Sequence, residues 1–544
     1  MERVRHWFSP RIMPLTGSIL FLLFLGGIIV VSPGLYLVMI VPIFLLALLV
    51  AIGFHDILQT KRAVLRNYPI SGHARYIMEE LRPKIRQYFF EGEKDGRPFP
   101  RDKRSLAYQR AKGQLDKRPF GTEFDVYEPR YEWISHSFAP THLEAHDFRV
   151  RIGGPDCLKP YDSSILNISA MSFGSLSANA IRSLNKGAKA GGFAHDTGEG
   201  GISPYHREHG GDIIWEIGSG YFGCRTPDGM FSAERFAENA ASEQVRMIEI
   251  KISQGAKPGH GGVLPAAKIT EEIAAIRGIP LGQDCISPSA HPAFSSPLEL
   301  MAFIRQLREL SGGKPVGFKL CVGHAHEFLA IIKAMLETGI TPDFIVVDGK
   351  EGGTGAAPSE FIDHIGMPLR EGLTFVHYAL IGANLRDRIK LGASGMIISA
   401  FDIARVMALG ADWCNMARGF MFAVGCIQSQ SCHTDKCPVG VATQDIDRQR
   451  ALVVADKSVR VAQFHNKTLE ALAEVVSGAG LRHPSEFETF HFHKRVSYSQ
   501  VTTFTNLYPP LDAGELLQGT DDHRYKIPWR VARADSFQAA PLSA

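Results

Sequence analysis

The sequence has little net charge, which limits the partners that the chain can bind. Its 59 lysines and arginines nearly balance its 56 aspartates and glutamates, so 544 residues carry a formal charge of only +3. Nucleic-acid-binding domains concentrate basic residues on one face, whereas here both signs are mixed along the chain. We therefore expect no nucleic-acid partner.

Two further features are scarce. No Gly-x-Gly-x-x-Gly both follows a predicted strand and opens a helix with an acidic residue downstream, so we expect no built-in dinucleotide domain. The chain has only eight cysteines, and three of them crowd between Cys426 and Cys437. In a chain without secreted character, such crowding indicates a metal site rather than a disulfide framework.

Charge is also absent from two apolar runs near the N-terminus, at about 16–31 and 35–53, which a Ser-Pro-Gly turn separates. A membrane-spanning helix needs about 20 apolar residues, with about 17 as the lower limit. The alternative is a signal peptide, but no small-residue cleavage site precedes a polar start. The flanking basic residues are Arg3, Arg5 and Arg11 before the runs and Lys61, Arg62 and Arg66 after them. They favour cytoplasmic ends, so we expect a multi-pass transmembrane hairpin with the catalytic domain in the cytoplasm.

Changes in composition divide the rest of the chain. We expect a transmembrane hairpin over 1–60, a juxtamembrane connector and lead-in over 61–160, a barrel over 161–450 and a helical, then irregular, extension over 451–544. The helical part of that extension is predicted to end at about Leu481.

Short apolar runs alternate with amphipathic segments from about Ser163. This alternation predicts an α/β fold whose parallel strands are joined by helices. A (β/α)8 TIM-type barrel needs eight strands, and six are evident, so the alternation alone leaves a doubly wound sheet open. The six predicted strands are Ile165–Met171, Met247–Ser253, Val316–Val322, Phe344–Asp348, Ile389–Ser394 and Trp413–Ala417.

The crowded cysteines, Cys426, Cys432 and Cys437, have the spacing C-x5-C-x4-C. Soft thiolates suit an iron–sulfur cluster or zinc. Zinc would want a fourth ligand, for which His433 is awkwardly close, and Cys414 could complete a four-iron cluster. Three free cysteines are a further alternative. The pattern favours a three-iron, four-sulfide (3Fe-4S) cluster.

Glycine-rich segments follow three of the predicted strands. Backbone N–H groups near helix starts, helped by an arginine, bind phosphate, and barrels commonly bind it after strands seven and eight. In this order, the segments indicate flavin mononucleotide (FMN). Their residues are Gly352, Gly353 and Thr354, then Ser394 and Gly395, then Arg418 and Gly419.

Polar residues are expected at the same end of the barrel. Lys251, Gln254 and Lys257 lie at and after one strand, and these basic residues suit a dicarboxylate. Lys319 lies within an apolar strand, where burial requires an anionic partner such as a reduced flavin, unless its head reaches solvent. Glu199 could orient ammonia or transfer a proton, or could have no role.

Several of these segments together resemble the synthase domain of glutamate synthase, in order from about Leu166 to Asp445. The cysteine segment and its continuation to Asp445 are the most specific part of the resemblance. The other matching segments are Met171-Ser172-Phe173-Gly174-Ser175, Thr197-Gly198-Glu199-Gly200-Gly201, Gln254-Gly255-Ala256-Lys257-Pro258-Gly259 and Gly352-Gly353-Thr354-Gly355-Ala356.

The resemblance implies a (β/α)8 barrel that holds FMN and a 3Fe-4S cluster. It also implies a reaction in which ammonia and 2-oxoglutarate form 2-iminoglutarate, which reduced FMN converts to L-glutamate while the cluster relays electrons. The implied roles are as follows: Glu199 beside the ammonia; Lys251, Gln254 and Lys257 lining the substrate site; Met171, Ser172 and Lys319 at the flavin; and Cys426, Cys432 and Cys437 on the cluster.

The sequence departs from this family in two respects. No amidotransferase domain is evident, so ammonia is expected to be free or to come from a separate amidotransferase, and electrons to come from ferredoxin or a reductase subunit. Where the family commonly has Gly-Glu-Gly-Gly, this chain has His260 in place of the glutamate. Another amine or keto acid, as in an N-alkylglutamate synthase subunit, is therefore an alternative. A non-catalytic membrane scaffold is an alternative of another class.

Overall fold

A computed structural model describes residues 7–541 and divides the chain into two compact units, one ending at Arg101 and one beginning at Asp102. This boundary falls inside the predicted connector and lead-in, 61–160, between its basic first part and the lead-in that precedes the barrel. Arg3 and Arg5, on which the predicted orientation partly rests, lie outside the described residues.

Two apolar helices, Met13–Val31 and Tyr36–Leu58, pack against each other in the N-terminal unit. Each is long and apolar enough to cross a membrane by length and composition, a test that a signal sequence also passes. The second helix runs five residues beyond the predicted end because its polar last turn is held in place. The buried Asp56 carboxylate there accepts hydrogen bonds from His73 Nε2 (2.9 Å) and from the backbone N–H of Ile70 (3.0 Å). The remaining helices of this unit are Ala63–Asn67, His73–Ile85 and Arg86–Phe90.

The second unit is built around a closed barrel of eight parallel strands, which confirms the predicted TIM-type fold. Neighbouring strands are consecutive in the chain, and the eighth pairs with the first. In chain order they are β1 Leu166–Ile168, β2 His195–Asp196, β3 Ile213–Ile217, β4 Val245–Lys251, β5 Val316–Leu320, β6 Phe344–Asp348, β7 Lys390–Ser394 and β8 Trp413–Met416.

The two strands that the sequence does not reveal are β2 and β3. Strand β2 has only two residues, too few to show a pattern. In β3, the charged Glu216 interrupts an otherwise apolar run, although every residue of this strand is buried. A charged side chain that points into the barrel thus breaks the apolar pattern by which a strand is recognised in the sequence.

Helices cover the outside of the barrel and return the chain between strands, as parallel pairing requires. Several begin at a serine cap; for example, Ser177 Oγ accepts a hydrogen bond from the N–H of Ala180 at 3.2 Å. The main ones are Ala178–Gly191, Ala233–Ala240, Pro297–Leu310, Ala325–Thr338, Leu369–Gly382, Ala400–Ala408 and Arg418–Val424. Shorter helices are Pro204–Arg207, Glu271–Arg277, Ser359–His364 and Ile446–Arg450.

Segments on either side of the barrel sequence form small additional structures. Helix Arg101–Ala111 lies before the barrel, and the long helix Val454–Gly478 packs against Ala178–Gly191. The tail after Leu481, expected to be irregular, contributes two strands to a sheet with Glu132–Ile134. These strands are Phe492–Arg495 and Val501–Thr503, and the tail helices are Phe504–Leu507, Glu515–Gln518 and Lys526–Val531. Two further strand pairs are Arg149–Ile152 with Tyr161–Ser164 and Val263–Leu264 with Cys285–Ile286.

Candidate functional site

A half-buried ion pair lies where β2 and β4 end, at the carboxyl-terminal mouth of the barrel. Lys251 is the last residue of β4, and its Nζ lies 3.0 Å from Oε2 of Glu199, in the loop after β2. Burial alone would raise the pKa of Glu199, but Lys251, helped by Arg277 and Lys257, holds that pKa below its usual value. Both residues of the pair are predicted site residues, and the structure adds that Glu199 is held as an anion.

Glycines around Glu199 leave space for no other side chain. A Cβ on Gly262 would lie 2.3 Å from Oε1 of Glu199, and one on Gly218 would lie 2.8 Å from its Cβ. Gly198 has a φ of +64°, and a Cβ there would lie 2.6 Å from the backbone nitrogen of Ser172. Only glycine tolerates both a positive φ and so close an approach of other atoms. These positions therefore fix the Glu199 carboxylate against the loop that follows β1.

Lys257 is the second lysine of the mouth, and it reaches a different loop. Its side chain is buried and its Nζ donates to the backbone carbonyl of Ala356 at 3.1 Å. Burial, with a smaller contribution from Lys251, lowers its pKa to about 8. Gln254 is half-buried, and its backbone carbonyl accepts a hydrogen bond from the N–H of Lys257 at 3.3 Å. A lysine with this pKa can exchange a proton near neutral pH.

Arg277 completes the mouth, although its position in the sequence does not reveal it. Only 4% of the residue is exposed. Its Nη2 donates to the carbonyl of Phe173 at 3.1 Å, and its guanidinium lies 5.0 Å from the centre of the Phe222 ring. Among the described residues, no carboxylate oxygen forms an ion pair with it within 4.0 Å. A basic residue in the last turn of a short helix, just before a glycine, gives no signal beyond helix termination.

The mouth is therefore a buried site with an excess of positive charge. Lys251, Lys257 and Arg277 bring three cations against the one carboxylate of Glu199, which leaves two positive charges uncompensated. A cleft of one sign attracts ligands of the opposite sign. A dianion is the ligand class that neutralises this site.

The glycine-rich loops follow three neighbouring strands, β6, β7 and β8. Nη2 of Arg418 donates to the carbonyl of Glu351, and a Cβ on Gly353 would lie 3.0 Å from Nε of Arg418. Burial lowers the pKa of Arg418 to about 10, against the opposing effect of Asp348 and Glu351. A cation held against bare backbone at this end of a barrel fits a phosphate group.

The other residues assigned to the flavin lie in the loop after β1 and in the loops after β6 and β7. Ser172 Oγ donates to Ser175 Oγ at 3.0 Å, just after Met171 in the loop that follows β1. Thr354 Oγ1 donates to the carbonyl of Ala356 at 3.4 Å. Ser394 is the last residue of β7, and Gly395 follows it with a φ of +144°.

Gly419 differs from these residues, because its smallness serves packing. A Cβ at this position would lie 3.2 Å from the ring of Phe464 and 3.3 Å from the sulfur of Met416. Its nearest neighbours are thus two apolar side chains of the protein, and a flavin contact at Gly419 stays a prediction.

A buried amide adds to the fit with a flavin. Asn415 lies near the end of β8 with 2% of its surface exposed, and its Nδ2 has no hydrogen-bond partner. An orphaned buried donor is costly unless a ligand satisfies it. Small loops, a buried arginine and this free donor together fit a phosphate-bearing flavin over the strand ends.

Lys319 lies on β5 and already has anionic partners within the protein. It is 4% exposed, forms an ion pair with Glu216 on β3, and its Nζ lies 3.1 Å from Oε1 of Glu249 on β4. Asp196 on β2 joins them, since ligand oxygens of the three acids all lie within 4.8 Å of one another. The anion expected beside Lys319 is therefore supplied by carboxylates, and a flavin contact remains a prediction.

The cysteine segment is an irregular loop between helices Arg418–Val424 and Ile446–Arg450. Three of its non-glycine residues, Gln428, Gln430 and Asp435, have left-handed φ angles of 57°, 56° and 61°. Side-chain-bearing residues seldom adopt this region, so each of the three marks a tight turn. Tight turns therefore lie between the three cysteines of this loop.

The three thiols of this loop are near enough to influence one another. Burial raises the pKa of Cys426 to about 12 and also raises the pKa of Cys432, and neighbouring thiols of the group raise both further. Thiols that resist ionisation side by side are stabilised as thiolates by bound metal. His433 is exposed, and Cys414 is fully buried within β8.

A buried lysine joins the cysteine loop to the loop after β1. Lys268 is 3% exposed and its Nζ donates to the carbonyl of Ser175 at 2.7 Å. It also donates to the carbonyls of Cys432 (3.4 Å) and Ala442 (3.3 Å). Sequence patterns do not reveal this residue, because all of its partners are backbone atoms distant in sequence.

Comparison with known proteins adds to this geometry. Residues 158–482 match the family model described as "Conserved region in glutamate synthase". The chain is 37% identical over 490 residues to the "Glutamate synthase large subunit-like protein YerD" of Bacillus subtilis, covering 82% of this chain and 93% of that protein. It is 36% identical over 314 residues to the "Archaeal-type glutamate synthase [NADPH]" of Thermotoga neapolitana, covering 58% of this chain and 59% of that protein.

Among solved structures, the recombinant flavin-binding domain of baker's yeast flavocytochrome b2 is similar with a TM-score of 0.38 and 12% identity, over 76% of this chain and 82% of that one. A likeness this distant adds nothing to the barrel already described.

Proposed function

Because this chain belongs to the glutamate synthase family and is an oxidoreductase of that type, we propose that it converts 2-oxoglutarate and ammonia to L-glutamate. The balanced reaction joins 2-oxoglutarate, an ammonium ion, two electrons and two protons to give glutamate and water. The observation that supports it most directly is the mouth, where three cations, two of them buried, face one carboxylate. The two uncompensated positive charges match the two carboxylates of 2-oxoglutarate.

The residues of the mouth divide the work between binding and proton transfer. Arg277 and Lys251 suit the substrate carboxylates, since charge-assisted hydrogen bonds are the strongest polar contacts available to them. Glu199, held as an anion, accepts a proton from ammonium and so leaves ammonia free to attack the keto carbon. Lys257, with a pKa of about 8, is charged at neutral pH and can hold a substrate carboxylate, while Glu199 returns its proton to the hydroxyl that leaves as 2-iminoglutarate forms.

The proposal includes two cofactors. FMN would lie over the loops after β1, β6, β7 and β8, with Arg418 near its phosphate, and when bound it supplies the reducing equivalents for the imine carbon. Cys426, Cys432 and Cys437 would hold a 3Fe-4S cluster that relays electrons. Zinc fits this segment less well, since three sulfurs on one zinc would lie about 4 Å apart. No cysteine group within 4.8 Å occurs among the described residues.

We further propose that Met13–Val31 and Tyr36–Leu58 span a membrane and leave the barrel in the cytoplasm, where ferredoxin or a reductase subunit would deliver electrons. Resistance of the full-length protein to alkaline carbonate extraction would support the anchor. An N-terminus that begins after residue 31 in purified protein would instead show a cleaved signal sequence and contradict it.

The first experiment is a spectrum of detergent-solubilised protein purified without oxygen, combined with electron paramagnetic resonance after mild oxidation. Flavin bands and a near-isotropic three-iron signal are expected. The Cys432→Ser variant should lose the paramagnetic signal and keep the flavin bands. Glutamate formation from 2-oxoglutarate and ammonium with an artificial reductant then tests the reaction. Colourless protein would contradict the redox proposal and leave the scaffold alternative.

One observation favours a second candidate, the use of an alkylamine instead of ammonia. His260 follows Lys257 closely, and its ring lies edge-to-face against Phe361 with centroids 5.3 Å apart. An aromatic pair suits an alkyl substituent better than the carboxylate common in the family would. Methylamine and ammonium should therefore be compared at equal concentration, with the His260→Glu variant as control. Faster turnover of methylamine, lost in that variant, would favour an N-alkylglutamate product.

A further inference from the structure

Four charged residues fill the interior of the barrel directly below the catalytic mouth. They are Asp196, Glu216, Glu249 and Lys319, which we call the interior charge cluster. Each is at most 4% exposed, and each comes from a different one of the neighbouring strands β2, β3, β4 and β5. Barrel interiors are ordinarily filled by branched apolar side chains. A cluster of this kind therefore requires a reason beyond packing.

The register fixes its position relative to the mouth. Glu216 on β3 and Glu249 on β4 are direct partners, whereas Lys319 on β5 pairs with Lys251, two residues nearer the carboxyl end of the strands. Two residues of a strand correspond to about 7 Å. The acids therefore form an inward layer immediately below Lys251 and its partner Glu199.

The cluster is also linked to the loop that carries the catalytic carboxylate. Oδ1 of Asp196 accepts a hydrogen bond from the N–H of Gly198 at 2.9 Å, and Gly198 directly precedes Glu199. The other oxygen, Oδ2, is buried and has no hydrogen-bond partner. A change of charge on Asp196 would therefore act directly on this loop.

Charge balance shows that the cluster cannot be fully ionised. Three carboxylates and one ammonium would sum to −2 in a site without solvent, and uncompensated buried charges are expensive enough to bind protons instead. Glu216, paired with Lys319, is best stabilised as an anion. The one protein cation that approaches Glu249 is the same Lys319, whose Nζ lies 3.1 Å from Oε1, so Glu249 shares its cation with Glu216. Protons are therefore held by Asp196 and Glu249.

Lys319 also excludes a metal ion as the role of these acids. An ion bound by the three carboxylates would have to lie among oxygens that its ammonium already contacts. The cation of this cluster is the lysine, so the exchangeable species that remains is a proton.

We propose that the interior charge cluster stores a proton and exchanges it with the catalytic mouth. The proposal rests on the proposed function, in which two protons are consumed with every two electrons. Electrons that arrive through an iron–sulfur cluster bring no protons, so the protein has to supply them separately. A shared proton one layer below Glu199 and Lys251 meets that need.

The electrostatic surroundings agree with an exchangeable proton at neutral pH. Burial raises the pKa of Asp196 well above its usual value, with Glu249 and Glu216 adding to the rise. Burial also raises the pKa of Glu249 to about 7, because Glu216 adds to the effect of burial and Lys319 only partly offsets it. The remaining charge near Lys319 is Asp348 on β6. Asp196 thus keeps its proton while Glu249 titrates.

Infrared spectroscopy of the full-length protein in detergent tests the store without requiring turnover. A protonated carboxyl group has a carbonyl band that shifts in D2O, whereas the ester bands of lipid or detergent do not. We expect this band in the wild type at about pH 6 and a partial loss of it through about pH 7. Glu249→Gln should abolish the pH-dependent part, and Asp196→Asn the part that persists. Glu132→Gln is the matched control, since Glu132 is a buried carboxylate outside the barrel, paired with Arg370 and Arg405.

Activity measurements add a second readout. If Glu249 supplies a proton, kcat of the wild type should change with pH near pH 7, where Glu249 titrates. Glu249→Gln should remove this dependence and lower kcat at least about tenfold at neutral pH, because general acid catalysis contributes at least that much to the rate. A wild-type spectrum without a protonated carboxyl band at about pH 6, or a titration that persists in Glu249→Gln, would overturn the proposal. If glutamate is not formed at all, the proposed function fails while the infrared titration still decides whether the cluster holds a proton.

Discussion

The unusual state of Lys257 leads to a prediction about how substrate capture depends on pH. Burial lowers the pKa of this lysine to about 8. Below that pH its ammonium is charged and can hold a carboxylate of 2-oxoglutarate, and above that pH it is neutral and cannot. Because kcat/KM reports the ionisation of the free enzyme, we expect kcat/KM for 2-oxoglutarate to fall about tenfold per pH unit above pH 8.

The two kinetic parameters should separate. A bound dianion stabilises the ammonium of Lys257 and raises its pKa, so in kcat the break that belongs to Lys257 should be absent or lie at higher pH. Replacing Lys257 by methionine removes one charge-assisted hydrogen bond, worth about 1.5–3 kcal/mol. That corresponds to a loss of about 10- to 150-fold in kcat/KM at pH 7.

The Lys257→Arg variant is the decisive control, because arginine remains charged over the whole range. Initial rates should be measured at saturating ammonium while 2-oxoglutarate is varied, so that ionisation of ammonium affects both proteins equally. The break near pH 8 should be absent from the arginine variant. If that variant keeps the break, or if the wild type shows none below about pH 10, burial of Lys257 does not control substrate capture.

Three further predictions concern the mouth and the neighbouring cysteine loop. Gly262→Ala should lower kcat about 100-fold, because its Cβ would lie 2.3 Å from Oε1 of Glu199; Gly478→Ala, where nothing lies within 4 Å, should not change kcat. Glu199→Gln should lower kcat about 100-fold or more by removing the base, while KM for 2-oxoglutarate, measured in the same titration, stays the same or falls. Lys268→Met should lower the midpoint potential of the proposed iron–sulfur cluster by tens of millivolts, on the order expected for one nearby charge, whereas Lys268→Arg should retain the wild-type potential in a redox titration.

The sequence predicts the outline of the fold because that outline depends on local patterns. Strands such as Phe344–Asp348 are apolar on both faces, since helices cover one side and the barrel interior the other. The loops after β6, β7 and β8 carry glycines at the end where ligands bind, so their order can be inferred without their contacts. The grouping of Cys426, Cys432 and Cys437 can be predicted from their spacing alone, because the three thiols lie within one loop.

The residues of the mouth can be predicted from the sequence only where they lie within or next to a recognisable motif. Lys251 and Lys257 are six residues apart on one stretch, and Glu199 lies among glycines. Arg277 comes from a separate short helix, and no spacing connects it with Glu199. Lys268 likewise acts on backbone carbonyls that can be identified only from the folded chain. Long-range convergence of this kind depends on the closure of the barrel, which a linear pattern does not contain.

The interior charge cluster concerns charged residues within apolar strands, a sequence feature that we used for Lys319 but not for the glutamates. Lys319 is recognisable because a charge within an apolar strand requires a partner, yet Glu216 in Ile-Ile-Trp-Glu-Ile and Glu249 in Ile-Glu-Ile carry the same signal. Considered together, one lysine and two glutamates within apolar runs can be matched by charge from the sequence alone. The excess of negative charge in the cluster depends on Asp196 as well. It cannot be inferred from the sequence, because β2 is too short to be recognised as a strand. The pairing of Lys319 is therefore within reach of the sequence, whereas the proton that the cluster must hold follows only from the third carboxylate.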